Sequence, residues 1–394
     1  MTGWDWLTKP AQPYNGRFIF RVLIKTVVLF ILFNLIFAWL DPLPSLGSIS
    51  IYNGITSGRE RLPYGEDDRA YNLSLNSLDA MFAAHTLSRP RAPDEYRVLL
   101  IGDSATWGIL LRPEETLAGI LSASDYTTQD GRDVRVYNLG HPIMSLTKDL
   151  LLLDYALRYE PDMIIWLTTL QSFPRDKQLF PPIVHNNADR VRHLITAYDL
   201  DLDPQDGRFV EPSFLDKTIV GRRREIADWL RLQLFGVMWS LTGIDQFYPD
   251  TYDLRSEDFE ENITWQNFTE PKNFTADDLA FDVVRAGIEI AGDVPILLVN
   301  EPTFISAGSN SDLRYNFWYP RWAYDSYREL YARQAEANGW HYLDLWDIID
   351  PAEFTDSPVH LTPAGSQQLG EIVGAALMAL ANGDPLPEGD EEGG

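Results

Sequence analysis

A serine, a histidine and an aspartate carry side chains that together could perform nucleophilic chemistry. Ser104 stands in "YRVLLIGDSATWG", directly after an apolar run. His360 stands in "FTDSPVHLTPAG", with Asp356 four residues before it. A histidine oriented by an aspartate can take the proton of a serine hydroxyl, which turns that oxygen into a nucleophile toward a carbonyl carbon. The alternative interpretation of Ser104 is a helix N-cap, a position at which serine is preferred.

These side chains need elements that bring them together, and the chain alternates between strand-like and helix-like patterns. Apolar runs typical of strands lie at 96–102, 133–140, 162–170, 294–302 and 340–349, with helical patterns between and after them. This alternation predicts an α/β domain over 96–382, with a parallel sheet in a three-layer α/β/α arrangement. Ligands of such sheets bind beyond the carboxyl ends of the strands, where Ser104 is expected. Glu301 ends the fourth run and is predicted to lie in a solvated loop, with a substrate contact as the alternative.

The regions outside this alternation are expected to have other roles. Between about 173 and 292 the pattern lapses, which predicts an insertion with an amphipathic helix at 222–244 and an aromatic loop at 263–274. The aromatic side chains could pack a cap or stack on sugars. Residues 41–95 are interpreted as a linker and lead-in containing one short helix, and the acidic tail 383–394 as disordered.

The segment 18–40 is long and apolar enough to cross a bilayer as a helix. Its cations, Arg21 and Lys25, can snorkel to the interface, and Lys9 and Arg17 precede it. The positive-inside rule then places residues 1–17 in the cytoplasm and the rest of the chain outside. A cleavable signal peptide and a buried core helix are the alternatives, and an uncleaved anchor is favoured because no small-x-small site follows the span.

Composition excludes several classes of site. The chain has 394 residues and no cysteine, so disulfides, thiolate metal sites and cysteine nucleophiles are excluded. Its net charge of −26 disfavours nucleic acid as a partner. The six histidines lack metal-ligand spacing, and we expect neither a metal nor another cofactor.

Three motifs in a fixed order give the chain a resemblance to a known family. "IGDS" closes the first predicted strand, "YNLGH" closes the second, and "D…HLTPAG" precedes the last helix. In this the chain resembles the SGNH, or GDSL, hydrolases over roughly 96–180 and 292–382, and in particular their membrane-anchored bacterial branch. The resemblance implies that Ser104 is the nucleophile and His360 the base. The family places its aspartate three residues before the histidine, where this chain has Ser357. Asp356, one residue further back, either completes the triad or leaves a dyad.

The resemblance also implies an oxyanion hole, the set of donors that stabilises the negative charge formed on the substrate oxygen. One donor is the backbone N–H of Ser104. A second backbone N–H comes from the second motif, and it belongs to either Gly140 or Ile143. In the family's third block, usually Gly-x-Asn-Asp, this chain has Thr169 at the glycine and Gln171 at the asparagine. The Gln171 amide is the third expected donor.

The function that the resemblance implies is cleavage or transfer of an acyl ester outside the cytoplasm. The expected substrate is an acylated glycan of the envelope or an exported glycan, with a lipid ester next. The acyl group would go to water or to a sugar hydroxyl, and a membrane-bound acyltransferase is the protein partner considered. The departures in the third block and at Asp356 leave two alternatives open. One is a catalytically degenerate accessory or binding subunit of such a complex, and the other is a structural envelope protein.

Overall fold

A computed structural model describes residues 15–65, 75–256 and 261–387 of the chain. The predictions for 1–14 and for 388–394 therefore lie outside the described residues. All five predicted strands are present, and they form one parallel sheet in the order β2-β1-β3-β4-β5. They are β1 (Glu95–Ile101), β2 (Asp133–Asn138), β3 (Met163–Thr168), β4 (Ile296–Asn300) and β5 (His341–Asp344). The predicted α/β class with a parallel sheet is confirmed.

Helices precede the sheet, connect its strands and follow it. In chain order they are α1 (Gly16–Leu40), α2 (Leu43–Gly47), α3 (Ile51–Ile55), α4 (Leu78–Ala84), α5 (Ser104–Trp107), α6 (Leu117–Ala123), α7 (Leu146–Ala156), α8 (Pro182–Asn186), α9 (Ala188–Ala197), α10 (Arg223–Thr242), α11 (Phe281–Ala291), α12 (Arg321–Asn338) and α13 (Pro363–Ala381). Short 3₁₀ turns lie at Thr86–Ser88, Pro113–Glu115, Leu157–Tyr159, Leu170–Ser172, Arg175–Lys177 and Pro351–Glu353.

The three central strands, β1, β3 and β4, are buried on both faces, which explains their nearly continuous apolar sequences. Successive side chains of a strand point to opposite faces, so each strand serves two cores. Leu99 and Ile101 of β1 pack into the core formed with α7, α11 and α12. Val98 and Leu100 pack into the core formed with α6 and α13. Two helical layers therefore enclose the sheet, as expected.

Two regions are more closely integrated into the domain than the sequence suggested. The helix α11 lies within the predicted insertion, yet it is the crossover between β3 and β4 and packs beside α7. The predicted linker 41–95 contributes fully buried side chains to the core, among them Tyr52, Leu62 and Phe82. The linker and lead-in predicted for 41–95 thus also contributes to the core, which its scattered proline and glycine did not indicate.

The chain divides into two compact units, Met1–Pro44 with Pro212–Ala227, and Ser45–Glu211 with Asp228–Gly394. In the first unit, α1 has 25 residues and contains an 18-residue window with a mean hydropathy of 2.4, long and apolar enough to cross a membrane. Asp41, at the end of α1, forms ion pairs with Lys217 at 3.1 Å and Arg222 at 3.2 Å. A helix of this length and composition is compatible with a membrane anchor or with a signal sequence.

In the second unit, the strand register aligns the carboxyl ends of the five strands. Asn138 of β2 pairs with Leu100, near the end of β1. Thr168 of β3 pairs with Asn300 of β4, which in turn pairs with Asp344 of β5. The segments that follow the five strands therefore emerge along one edge, and the candidate site is assembled from them.

Candidate active site

Ser104 is the first residue of the short helix α5, three residues after the last residue of β1. The N-cap of α5 is Asp103, whose Oδ1 accepts a 2.8 Å hydrogen bond from the N–H of Ala105. The alternative that Ser104 is the N-cap is therefore wrong. Because Asp103 caps the helix, the Ser104 hydroxyl is not used in capping and can hydrogen-bond another side chain. Its backbone N–H has no hydrogen-bond partner among the described residues.

The structure brings Ser104, His360 and Asp356 into one chain of hydrogen bonds. His360 Nε2 lies 2.9 Å from Ser104 Oγ, and His360 Nδ1 lies 2.9 Å from Asp356 Oδ1. In the neutral imidazole, Nδ1–H donates to the carboxylate and Nε2 accepts the serine proton. The His360 side chain is 11% exposed and that of Asp356 is 52% exposed. This is the arrangement in which a serine can be deprotonated as it attacks.

A tight loop explains how Asp356 reaches His360 from four residues away. Phe354 and Leu361 pair as an isolated antiparallel bridge that closes the loop. Across it, the Thr355 N–H and hydroxyl donate to the His360 carbonyl at 2.8 and 3.2 Å. The loop is held to the segment after β4, since Phe304 N–H donates to the Pro358 carbonyl at 2.7 Å. The extra residue is thereby absorbed within the loop.

The Asp356 carboxylate remains ionised in this loop. Partial burial acts to raise the pKa of Asp356, but the hydrogen bond and the attraction to His360 outweigh it, so the pKa lies below its ordinary value. Near neutral pH, Asp356 is therefore a charged acceptor that holds Nδ1–H. If activity falls on mild acidification, the group that becomes protonated is therefore a base other than Asp356.

Replacing Asp356 with asparagine is expected to lower kcat by about 10²-fold, because an amide no longer fixes the imidazole tautomer. The loss should be smaller than at a fully buried aspartate, since water reaches this half-exposed carboxylate. The measurement is kcat for p-nitrophenyl acetate, with the exposed Asp384→Asn as control. A value for Asp356→Asn within about twofold of the parent would mean that Ser104 and His360 act as a dyad.

The two alternatives for the second backbone donor differ in their hydrogen bonding. Gly140 N–H donates to Asn138 Oδ1 at 3.0 Å. Gly140 also packs so closely on α5 that a Cβ would lie 2.3 Å from the Trp107 nitrogen. Its role is therefore to let two backbones approach, and the expectation that Gly140 donates to an oxyanion is corrected. Ile143 has a positive φ of 77°, and its N–H has no partner among the described residues.

Gln171 follows β3 and is held by its side-chain oxygen. Gln266 Nε2 donates to Gln171 Oε1 at 2.8 Å, and Lys177 Nζ lies 3.5 Å from the same oxygen. The amide NH₂ is thereby left as a donor. Thr169, at the position of the family's glycine, is fully buried, and its hydroxyl lies 2.9 Å from that of Tyr319.

Beneath Ser104 lies a buried lysine that the sequence did not single out. Lys148 of α7 is fully buried, and its Nζ donates to the Gly102 carbonyl at 2.8 Å and to the His141 carbonyl at 2.7 Å. Its counter-charge is Asp149, at 2.6 Å. One ammonium thus ties the turn before Ser104 to the loop that carries Ile143. Burial, followed by the Lys148 charge, lowers the pKa of His141 to about 3, so His141 is neutral.

Glu301 is 2% exposed, so its predicted place in a solvated loop was wrong. Its carboxyl group lies beside that of Asp103, and no described residue donates a hydrogen bond to the two Glu301 oxygens or to Asp103 Oδ2. Two adjacent carboxyl groups can hydrogen-bond each other only when one of them holds a proton. Burial, then the charge and hydrogen bond of Asp103, then the charge of Asp149, raise the pKa of Glu301 well above 4.5, while Lys148 opposes them. We therefore expect Glu301 to hold a proton in the folded protein.

Replacing Glu301 with glutamine is expected to raise stability relative to the parent as the pH rises. Above pH 4.5, the ordinary pKa of this group, the folded parent binds a proton that the unfolded chain has lost, so the parent's stability falls with pH until the raised pKa is passed. Glutamine donates to Asp103 without a proton to lose. The stability difference should grow by up to about 1.4 kcal/mol per pH unit.

The measurement is the free energy of unfolding by urea near pH 4.5 and pH 7.5, for the parent and Glu301→Gln. The exposed Glu336→Gln serves as the matched control and should show no such trend. A stability difference between Glu301→Gln and the parent that is independent of pH would show that Glu301 is ionised in the folded protein.

No family model matches the chain, and no curated protein matches it. Among solved structures, it is similar to a carbohydrate acetylesterase family member from Sinorhizobium meliloti, at 12% identity and a TM-score of 0.33, covering 73% of this chain and 99% of that one. A protein described as lipolytic and of the G-D-S-L family, from Desulfitobacterium hafniense, shares 12% identity at a TM-score of 0.32, covering 71% of this chain and 98% of its own.

A catalytic mutant of an acetylxylan esterase from Geobacillus stearothermophilus shares 13% identity at a TM-score of 0.33, covering 76% of this chain and 99% of that one. Identities and TM-scores this low assign no residue role and no substrate to this chain. These neighbours are described as a carbohydrate acetylesterase, an acetylxylan esterase and a lipolytic protein of the G-D-S-L family.

Proposed function

We propose that this chain is an SGNH-type serine esterase in which Ser104 is the nucleophile, His360 the general base and Asp356 the residue that orients it. One observation carries the proposal. Two 2.9 Å hydrogen bonds link the three side chains in the order serine, histidine, aspartate. They do so across 256 residues of sequence, at the edge of the sheet where ligands of α/β proteins bind.

In the first half-reaction, the Ser104 oxygen attacks the ester carbonyl carbon while its proton passes to His360 Nε2. The carbonyl oxygen takes up the displaced electron pair and becomes an oxyanion. The Ser104 and Ile143 N–H groups and the Gln171 amide are its proposed donors. Collapse of this intermediate breaks the bond to the alcohol, which leaves with the proton from His360, and the acyl group remains on Ser104.

In the second half-reaction, water repeats the sequence. His360 takes a proton from water as it attacks the acyl group, and that proton returns to Ser104 Oγ when the carboxylic acid leaves. A sugar hydroxyl in place of water would give an acyltransferase by the same steps, which is the alternative outcome for this site. Nothing in the chemistry of the triad distinguishes the two acceptors.

A cleft beside Gln171 supports an acylated glycan as the substrate. Its volume is about 530 Å³. Its lining combines amide, hydroxyl and guanidinium groups with aromatic rings, and it consists of Gln171, Arg255, Asn262, Thr264, Trp265, Gln266, Arg314, Phe317 and Trp318. Aromatic faces and planar polar groups suit a sugar ring, which presents both C–H surface and hydroxyls. Arg255 also joins the cleft to the triad, since its Nη1 donates to the Asp356 carbonyl at 3.1 Å.

The same proposal places the enzyme at a membrane, with α1 as an uncleaved anchor and the catalytic domain on the extracytoplasmic side. Support comes from the length and hydropathy of α1 and from the cations at its N-terminal side. A membrane-bound acyltransferase is the partner that a transferase reaction would involve.

The test is covalent labelling of the full chain with a fluorophosphonate, which reacts with serine only when a base activates it. We expect one label, on the peptide that carries Ser104, together with hydrolysis of p-nitrophenyl acetate that disappears as labelling proceeds. The Ser104→Ala variant is the control and should take no label. A folded parent that neither reacts nor turns over would favour the accessory-subunit alternative.

A further inference from the structure

The insertion after β3 contacts the candidate site through one tight turn. Trp265 and Phe268 form an isolated antiparallel bridge, in which each backbone N–H donates to the other residue's carbonyl, at 3.0 and 2.9 Å. Gln266 is the first of the two residues between them. Its Nε2 donates to Gln171 Oε1 at 2.8 Å, across 95 residues of sequence. The turn therefore holds the side chain that is proposed as the third oxyanion donor.

Two donors determine which way the Gln171 amide points. Lys177 Nζ lies 3.5 Å from Gln171 Oε1, and an ammonium group donates hydrogen bonds but accepts none. Gln266 donates to the same oxygen. If the Gln171 amide were reversed, its NH₂ group would face the Lys177 ammonium, a donor against a donor. The oxygen is therefore the atom that these two side chains hold, and the NH₂ group has no partner among the described residues.

The backbone of Gln171 is positioned by a different contact. Its N–H donates to the hydroxyl of Tyr319 at 3.3 Å, and that hydroxyl lies 2.9 Å from the hydroxyl of Thr169. Tyr319 and Thr169 are both fully buried. The turn after β3 is thus fixed from within the domain without Gln266. What Gln266 controls is the direction of the Gln171 side-chain amide.

Gln266 has a backbone conformation that the turn itself would fill better with another residue. Its φ is +51°, in the left-handed region. At the first central position of a two-residue hairpin turn, a positive φ is normally supplied by glycine, asparagine or aspartate. Trp265, at 3% exposure and with its ring centroid 5.4 Å from that of Phe274, anchors the turn in the domain. Strained residues held in place by such packing concentrate at functional sites.

We propose that Gln266 is a positioning residue for catalysis, which holds the Gln171 amide so that its NH₂ group donates to the oxyanion. This inference rests on the proposed function, because it requires an acyl group attacked by Ser104. It adds that the insertion between β3 and β4 supplies part of the catalytic geometry as well as a wall of the cleft. An oxyanion forms in both half-reactions, so Gln266 affects kcat whichever of them is slower.

The test compares variants of the full chain in kcat and KM for p-nitrophenyl acetate. Gln266→Gly removes the amide and accepts the positive φ without strain. Gln266→Glu keeps the length of the side chain, but a carboxylate accepts hydrogen bonds and donates none. Asn267→Gly is the matched control, because it changes the other central residue of the turn, whose side chain contacts Asp176 at 3.4 Å. Urea unfolding of each variant measures its stability.

We expect kcat to fall about 10-fold in both Gln266 variants, with KM within about twofold of the parent. The loss is smaller than the roughly 10²–10³-fold cost of removing an oxyanion donor, because the Gln171 amide still points correctly part of the time. Asn267→Gly should keep the parent's kcat. The urea midpoint of Gln266→Gly should equal or exceed that of the parent, whereas a residue needed only for the fold would lower it.

A double-mutant cycle then separates positioning from other effects. In the Gln171→Ala background, Gln266→Gly should cause no further loss, because Gln266 acts through Gln171. An equal loss in both backgrounds, or full activity in either Gln266 variant, would overturn this inference and leave the esterase proposal intact. A folded parent that neither hydrolyses the ester nor reacts with the fluorophosphonate would refute the proposed function and this inference with it.

Discussion

Replacement of Ser104 by alanine is expected to lower kcat for p-nitrophenyl acetate by at least about 10³-fold, and His360→Ala should have an effect of similar size. In the proposed mechanism, Ser104 Oγ bonds to the acyl carbon and its proton passes to His360 Nε2, which lies 2.9 Å away. Because the two act as one unit, the double variant should be no worse than either single variant. Initial rates over a range of substrate concentrations separate kcat from KM.

The control for these variants is Ser124→Ala, at an exposed serine that ends α6. It should keep the activity of the parent. If the double variant instead lost the product of the two single losses, Ser104 and His360 would be acting independently. That outcome would contradict the proposed mechanism even if each single variant were inactive.

Lys148→Met is expected to destabilise the protein by about 3–5 kcal/mol, the range for breaking a buried ion pair by removing one partner. Methionine has a similar length but no N–H. It would leave Asp149 without its counter-charge and the carbonyls of Gly102 and His141 without their donor. Urea unfolding of the full chain in detergent, followed by tryptophan fluorescence, measures the loss. The soluble yield should fall with it.

The matched control is Lys272→Met, which removes a surface lysine that pairs with Asp278 at 2.8 Å and is 41% exposed. Surface pairs of this kind contribute at most about 1 kcal/mol. A Lys148→Met variant as stable as Lys272→Met would show that the buried ammonium is replaceable and that the two active-site loops hold their positions without it.

The strands could be predicted because a parallel sheet buried on both faces forces long apolar runs. The run around β3 is an example: all six of its residues are buried. The crossover α11 was missed for a different reason. Its sequence lies between the aromatic loop and β4, within the predicted insertion. Only the parallel pairing of β3 with β4 shows that a crossover must connect these two strands. The integration of 41–95 into the core could not be predicted either, since its contacts are distant in sequence.

At the candidate site, residue type, motif order and the family resemblance were enough to predict that Ser104 and His360 lie together, with Asp356 as the third member of a triad or outside a dyad, and the three side chains are in contact. The sequence did not decide whether Gly140 or Ile143 supplies the second backbone donor. That choice depends on the side-chain oxygen of Asn138, which accepts a hydrogen bond from the Gly140 N–H. Lys148 and Glu301 were missed for a common reason. A charged residue in a sequence is interpreted as exposed, whereas both side chains are buried by contacts with other segments. Lys148 donates to two backbone carbonyls, and the carboxyl group of Glu301 lies beside that of Asp103.

The order of the strands along the chain also has a consequence for biosynthesis. Ser104, the proposed nucleophile, follows β1, whereas the loop that holds His360 and Asp356 follows β5 and is closed by the Phe354–Leu361 bridge. A nascent or truncated chain that ends between β5 and residue 360 contains all five strand segments and yet has no imidazole beside Ser104. Under the proposed mechanism, such a fragment is expected to have no esterase activity until synthesis has passed residue 360.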